Sequence, residues 1–549
     1  MKPDNNNDSR SDLTVLNERC IRNGIPSPVK FSWNGKPSVE NRTHIDLCEV
    51  FRKELVKGTI FKNKYRTLKL QDVSQALLGK GKYGSGAISG ANAHSLGVER
   101  QKEYVLQDAQ LVMDLSKVNN GQIMGLMQAI SELTGLSLEQ VCHSNLSSWW
   151  TKVFDDMGCI PPLLSGQDKD TSQPWDYQGG LVIEPKRGLY RNLKIVDVVS
   201  LYPSLAILHN ISFDTVNCVC CINREDAKVS KDVIDKGYWI CTQRGAFPNK
   251  LRQFKEERVR QKQLGNDIKQ LGLKILINGG YDLFGNPVFK YGDIRVAELI
   301  TAFGRHILRL MQDIAYSIGF TVVAGDTDSL FLDGANDNDR MMKRFTVECK
   351  DKIGVDVEHS QTFVKAAIIK KKHYFGVTTE REIKVAGMEG RKNDRPVWIN
   401  KVFDQFLEDF KAERDPIANL KAAINDLENG KIDPELLKIK IKLAKNPEDY
   451  AVNNPNKKVG TLLGAKAGDI IWYFKTDDKK AGSSVKPEEI GITKYKEMLM
   501  ATVKDALEIM GHGSADKIES EIFGIITKGP KRKKDISLDD NIYHQQRQH

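Results

Sequence analysis

No apolar run in this chain of 549 residues approaches the roughly 18 to 20 residues that cross a bilayer. The opening MKPDNNNDSRSD holds no apolar signal core. Membrane insertion and export are thereby set aside, and a soluble intracellular protein is expected. Cysteine is sparse: nine, an odd number along a chain without an export signal, argue for reduced thiols over a disulfide framework. No internal repeat is visible, which removes solenoids and propellers. Neither sign of charge dominates. The 82 Lys and Arg against 72 Asp and Glu leave a net +10, compatible with a nucleic-acid partner without demonstrating one. What remains is ordinary for a globular protein, 40% apolar and 28% charged, and the length suggests about three to four domains.

One stretch stands out against that background: FTVVAGDTDSLFL, residues 320–332. Two short apolar runs enclose Gly325-Asp326-Thr327-Asp328, the pattern of a β-hairpin with two carboxylates at its tip. Residues two apart on a strand face the same way, so Asp326 and Asp328 can converge on one cation. Like charges this close are unfavourable unless neutralised, and hard divalent ions bind through carboxylates and substrate phosphates. An acidic hairpin turn without a ligand is the plain alternative, since Asp favours turns.

A third carboxylate comes from LKIVDVVSLYPS, residues 193–204, where an apolar strand carries Asp197 to its end and Pro203 lets a helix begin just after it. Backbone N–H groups of Ser200, Leu201 and Tyr202 would then point outward as the first helical turn, an anion site suited to phosphates. Residues 249–281 read as a helical hairpin turning near Gly265-Asn266-Asp267. Its first helix sets Arg258 and Lys262 four apart, and its second sets Lys274 and Asn278 four apart. Like cations at that spacing repel, so these faces are either merely solvated or suited to a triphosphate.

Earlier in the chain, residues 12–20 and 103–115 have helical spacing, the latter placing Tyr104 and Asp108 on one face, and residues 43–47 read as a short strand. Residues 115–174 look mostly helical and run into the loop-forming SGQDKDTSQPWD. Cys218, Cys220, Cys221 and Cys241 could bind zinc; C-x-C-C with a distant fourth Cys departs from paired C-x₂-C spacing, and reduced structural thiols are the alternative. IIKKKHYFGV, residues 368–377, is a strand pattern interrupted by three lysines. ELLKIKIKL, residues 435–443, puts Lys438, Lys440 and Lys442 on one face and Ile439, Ile441 and Leu443 on the other. Those lysines would either follow a phosphate backbone or protect an exposed sheet edge. Residues 400–525 are otherwise helical apart from a strand at 470–474, and the terminal KGPKRKKDISLDDNIYHQQRQH reads as a disordered basic tail.

DVVSLYPS, KILINGGY and AGDTDS, at 197–204, 274–281 and 324–329, resemble in that order the three polymerase motifs of the family B, or α-like, DNA polymerases. Tyr177-Gln178-Gly179-Gly180 resembles the motif joining that family's exonuclease and polymerase parts. Lys371-Lys372-His373-Tyr374 resembles its K-K-R-Y primer-strand motif, with His in place of Arg. The resemblance runs over residues 12–522, nearly the whole chain. It implies an α/β (α+β multidomain) right-hand fold: palm at 176–215 and 291–399, fingers at 216–290, thumb at 400–526 carrying the lysine strand. A truncated ribonuclease H-like exonuclease part at 1–115 and a helical linker at 116–175 would precede these, and the tail at 527–549 would follow.

The implied activity is template-directed addition of dNTPs to a primer 3′ end in the cytoplasm or nucleoid, or in a virus-infected host cell. On this resemblance Asp197 and Asp328, with Val198, would hold two Mg²⁺ ions about 4 Å apart, Mn²⁺ able to substitute, with Asp326 beside them. Tyr202 would lie under the incoming sugar as a gate against a 2′-hydroxyl. Ser200, Leu201, Arg258, Lys262, Lys274 and Asn278 would contact the nucleotide, and Tyr281 would pack near the nascent base pair. Tyr177, Gly179, Gly180, Lys371, Lys372 and Tyr374 would hold primer-template DNA.

Two departures from the family pattern matter. Asp282 stands where the family has Gly after the motif tyrosine, and Ser is common where Gly279 stands; a carboxylate there adds repulsion unless it points away or is paired. Of the exonuclease carboxylate motifs, Asn7 and Asp12 match the second and Tyr104 with Asp108 the third, while the first, D-x-E, is not found. The expectation is a polymerase without intrinsic proofreading, partnered by a separate exonuclease subunit or a processivity factor. The rivals are the C-terminal part of a split polymerase, a silent homologue serving as a DNA-binding or structural subunit, and a nuclease.

Overall fold

The computed structural model describes residues 12–31, 37–65, 67–86, 96–162, 175–334, 338–388, 395–452, 454–477 and 482–524. Asn7, the tail at 527–549 and the side chain of Asp12 lie outside the described residues. The chain forms two compact units, Met1–Gly179 with Ser200–His306, and Gly180–Val199 with Ile307–His549. Among the described residues no helix is long and apolar enough to cross a membrane.

Helical periodicity governs the first unit. It contains α1 (Asp12–Arg22), α2 (Leu47–Arg52), α3 (Leu70–Leu78), α4 (Val98–Ser116), α5 (Gln122–Thr134), α6 (Leu138–His143) and α7 (Leu146–Asp156). Then come α8 (Leu201–Leu208), α9 (Ala246–Gln263), α10 (Asp267–Gly279) and the start of α11 (Ile294–Ile318), with a ribbon of β1 (Val29–Phe31) and β2 (Pro37–Val39). Residues 43–47, expected as a strand, are not one: Asp46 accepts from the Cys48 N–H and caps α2, so local side-chain bonding overrides the alternating pattern. The helical hairpin at 249–281 forms as read. Gly265 turns at φ +68, and Asn266 caps α10 by accepting from the Lys269 N–H. α5 approaches α10 closely at Gly125, where a Cβ would meet Ile268 at 3.3 Å. Behind α9 and α10 lies an aromatic core of Trp150, Phe154, Phe213, Phe247, Phe254, Phe284 and Tyr291. Its closest rings, Phe247 and Phe284, are 4.8 Å apart and edge-on, a geometry that adds about 0.5 to 1.5 kcal/mol per pair beyond burial.

The second unit is built on a seven-stranded antiparallel sheet. Its spatial order is β3 (Val182–Ile183), β5 (Thr321–Asp326), β6 (Ser329–Asp333), β4 (Gly188–Val198), β7 (Val357–Lys370), β8 (His373–Thr378) and β9 (Ile383–Ala386). β4 sits between β6 and β7 with residues 193–196 and 198 buried, so both of its faces are covered and its apolar residues do not strictly alternate. Residues 368–377 are two strands, not one. Lys372 takes φ +59, and the chain reverses at Lys371-Lys372 so that Ile368 pairs with Tyr374.

Helices α12 (Asn338–Ile353), α13 (Val397–Lys411), α14 (Ile417–Glu428), α15 (Pro434–Leu437), α16 (Pro455–Leu462), α17 (Ile492–Ile509) and α18 (Ala515–Glu521) complete this unit. Phe375 and Val377 of β8 share a core with Phe403, Phe406 and Phe410 of α13 and Leu499 and Val503 of α17. ELLKIKIKL divides into α15 and β10 (Ile439–Lys442), which pairs with β11 (Ile470–Tyr473). Lys440 and Lys442 are exposed while Ile439 and Leu443 are buried, as the alternation requires. Lys438 leaves the lysine row: its ammonium lies 4.1 Å from the Trp472 ring centroid and pairs with Glu435.

Candidate active site

The FTVVAGDTDSLFL stretch folds into the β5–β6 hairpin, and the pairing register builds the site. Ser329 of β6 faces Asp326 of β5 on one side and Asp197 of β4 on the other. Asp328 stands in the intervening turn, where Thr327 adopts φ +60, an outlying conformation for a β-branched residue. Two backbone bonds hold that turn: the Thr327 N–H donates to the Leu181 carbonyl at 2.8 Å, and the Val198 N–H donates to the Asp328 carbonyl at 2.9 Å. Three carboxylates therefore gather at one end of the sheet.

Their electrostatics differ. The Asp328 side chain opens to solvent, yet the surrounding protein removes enough water to raise its pKa, with the charges of Asp197 and then Asp326 adding to the shift. Among the described residues, none forms an ion pair with Asp197 or Asp328. Asp326 is engaged, by Lys372 at 3.2 Å and by the Thr327 hydroxyl, which donates to it at 3.1 Å.

The lysine turn follows from the same sheet. Lys371 pairs with Glu184 at 2.8 Å, and Gly387, at φ +65, lies against the Lys372 carbonyl with no room for a Cβ. Tyr374 packs edge-on to Phe331 at 5.1 Å, and burial, followed by the charges of Asp326 and Asp197, raises its hydroxyl pKa. Concave surfaces flank this tyrosine: one lined by Gly325, Asp326 and Lys372, the other, of about 450 Å³, by Asp197, Ser329, Gln361 and Lys384.

The first unit carries the cations and two tyrosines. Ser200 takes φ +48 just before α8, and the Tyr202 ring lies 4.2 Å from the Tyr281 ring. Tyr202 also rests on α11, where a Cβ on Gly304 would approach its ring at 3.0 Å. Arg258 and Lys262 fall on α9, Lys274 and Asn278 on α10; Arg258 is half-buried and the other three are exposed. Tyr177 abuts Gly285, where a Cβ would meet its hydroxyl at 2.7 Å. The carbonyls of Gln178 and Gly179 accept from the buried Arg305 guanidinium at 2.6 and 2.9 Å. Asp282 is paired: burial raises its pKa, while a hydrogen bond with the Tyr281 side chain works the other way. Gly279 lies against the end of the Leu146 side chain of α7, which a Cβ at this position would have to displace.

Sequence reasoning passed over Gly304, Arg305, Gly387 and Lys255, the last of which bonds the Ser204 hydroxyl at 3.1 Å. Their one visible signal is a buried arginine in an otherwise apolar helix face. At the N-terminal side, Tyr104 and Asp108 share a face of α4 as their spacing requires, and Lys82 covers it. Its ammonium donates to the Tyr104 hydroxyl at 3.0 Å and pairs with Asp108 at 2.6 Å. The four cysteines of residues 218–241 come together, as described below.

Comparison with known proteins places this geometry. The model for DNA polymerase family B matches residues 151–477, more than half of the chain. The protein called DNA polymerase 1 of Aeropyrum pernix is 28% identical over 537 residues, covering 88% of this chain and 54% of that protein. DNA polymerase 1 of Saccharolobus solfataricus is 27% identical over 549 residues, covering 91% and 61%. The chain thus spans less than two thirds of the length of these relatives. A solved structure of the family B DNA polymerase from Pyrobaculum calidifontis is similar in fold, with a TM-score of 0.57 at 20% identity over 91% of this chain and 68% of that one. The motif order in the sequence, the carboxylates gathered on β4, β5 and β6, and the family match over residues 151–477 agree, and this chain belongs to DNA polymerase family B.

Proposed function

We propose that the chain is a DNA-directed DNA polymerase that adds dNTPs to a primer 3′ end. The carrying observation is the gathering of Asp197, Asp326 and Asp328 on adjacent strands, with Asp197 and Asp328 lacking an ion pair among the described residues. Hard carboxylate oxygens crowded at this end of the sheet suit it to Mg²⁺, two ions held by Asp197, Asp328 and Val198. When bound, such ions stabilise negative charge on a primer 3′-oxygen and on departing pyrophosphate.

The chain's own residues position the reactants. Arg258, Lys262, Lys274 and Asn278 bind the triphosphate, assisted by the backbone at Ser200 and Leu201. Tyr202, backed by Gly304, lies under the incoming sugar and excludes a 2′-hydroxyl. Tyr281 packs near the nascent pair, and its side-chain hydrogen bond holds the neighbouring Asp282 carboxyl in place. Lys371, Lys372 and Tyr374 hold the primer strand, Tyr177, Gly179 and Gly180 contact the DNA, and Lys440 and Lys442 grip the duplex through its phosphates. Asp108, already paired with Lys82, does not serve an exonuclease in this chain.

The test is extension of a labelled primer by the full chain with Mg²⁺ and dNTPs or rNTPs. Wild-type protein extends with dNTPs, and Tyr202→Ala raises the ribonucleotide to deoxynucleotide ratio of kcat/KM by about tenfold or more. Absence of extension by the wild type refutes the assignment, and an unchanged ratio moves the gate away from Tyr202.

A further inference from the structure

We propose that Cys218, Cys220, Cys221 and Cys241 form a mononuclear tetrathiolate site for zinc. Their sulfur atoms all lie within 4.8 Å of one another. Cys220 is 3.4 Å from Cys218 and 3.5 Å from Cys241, and Cys221 is 3.8 Å from both Cys220 and Cys241. Tetrahedral zinc with Zn–S bonds of about 2.3 Å spaces its sulfurs about 3.8 Å apart, so the cage requires little adjustment.

The bland reading is a small apolar core of reduced thiols, with Ala227 and Trp239 against the cysteines. That reading explains the buried Cys221 and Cys241 but not Cys220, which is exposed and still brings its sulfur against all three others. A single disulfide would satisfy only two of the four. An iron–sulfur cluster places its thiolates on different irons, farther apart than ligands of one shared ion.

The spacing argument against zinc is corrected by the local geometry. Cys218 and Cys221 are themselves a C-x₂-C pair with Cys220 as an intervening residue, and a 3₁₀ turn over Val219–Cys221 folds the sulfurs inward. The Cys221 backbone bonds the Cys218 sulfur and the Thr242 backbone bonds the Cys221 sulfur, outer contacts of the kind that orient metal ligands. The frame is rigid: the Trp239 indole donates to the Cys218 carbonyl at 2.8 Å, and the Cys241 N–H donates to the Thr215 carbonyl at 2.9 Å.

Four thiolates leave no open coordination position, so the ion is structural. Its place in the chain says what it braces. Asn210, just after α8, donates to the carbonyls of Cys241 and Gln243 at 2.8 and 2.6 Å and accepts from the Gly245 N–H at 2.9 Å, immediately before α9. The cage therefore stiffens the connection that sets where α9 begins.

The experiment uses the full chain, equilibrated with zinc, passed over a chelating resin and analysed by inductively coupled plasma mass spectrometry. About one zinc per chain is expected, released by an organomercurial thiol reagent. Cobalt in its place should give the intense visible bands of a tetrahedral tetrathiolate. Cys220→Ser, a change at an exposed side chain, should weaken zinc binding at least about tenfold, while Cys48→Ser, at an exposed cysteine outside the cage, should not. Folded protein holding less than about a tenth of an equivalent of zinc overturns the proposal, as does unchanged binding in Cys220→Ser. Recovery of iron with acid-labile sulfide overturns it equally.

Discussion

Asp328 and Asp108 are both motif carboxylates, and the protein treats them in opposite ways. Asp108 pairs at 2.6 Å with Lys82, both side chains about three-quarters buried, so its counter-charge is supplied from within. At Asp328 partial desolvation, and then the charges of Asp197 and Asp326, raise the pKa. A cation arriving from solution relieves repulsion at Asp328 and has to displace a lysine at Asp108. Motif spacing shows where a carboxylate will stand; the nearest cation decides whether it can take a metal.

The largest effect should separate the two aspartates directly. Asp197→Ala or Asp328→Ala should lower Mg²⁺-dependent primer extension by at least about 10³-fold with DNA binding nearly intact, whereas Asp108→Ala should change extension by less than about twofold. Extension surviving in both of these variants would remove the contrast. With a 3′-labelled mismatched primer and no dNTP, release of the terminal nucleotide should not exceed that of Asp108→Ala.

A buried base extends the comparison to a group kept neutral. His209 stacks on Phe303 at 3.9 Å, and burial, with the His306 charge adding, lowers its pKa to about 4. The unfolded chain protonates this group near its ordinary 6.5, so the unfolded state binds the extra proton between those values and stability falls as pH drops. About 2 kcal/mol should be lost between pH 7 and pH 5, read from urea midpoints, and His209→Phe should flatten that slope. An equal slope in the variant would assign the acid sensitivity elsewhere.

Removing the internal counter-charge is expected to cost less. Lys82→Ala leaves a mostly buried Asp108 carboxylate unpaired and should destabilise by about 1 to 2 kcal/mol, with Asp108→Asn in the same chain restoring part of it. No restoration would mean that Lys82 acts through its packing on Tyr104, 5.1 Å from the ring centroid, rather than through charge. Smallest of all is Asp282→Gly. Because Tyr281 already bonds this carboxyl, kcat/KM for dNTP should move by less than about threefold; a tenfold gain would show that its charge still repels the nucleotide.

Much of the framework was legible because it depends on neighbours in sequence. Two short apolar runs around Gly325-Asp326-Thr327-Asp328 dictate a hairpin, Gly265 and Asn266 dictate where α9 turns into α10, and the apolar stretch leading to Asp197 dictates an inner strand ending near it. These are decided by allowed backbone angles, caps and the period of burial, all readable within a dozen residues. The reversal at Lys371-Lys372 was less visible, since a lysine at positive φ has no composition signal and is held by Gly387, fifteen residues onward. Lys82 over Asp108, Arg305 under Gln178 and the separations at which the sulfurs of Cys220 and Cys241 meet lay beyond sequence reading for one reason. Charge balance, carbonyl satisfaction and metal geometry are set by separations of a few ångströms between side chains whose positions only the packed chain determines.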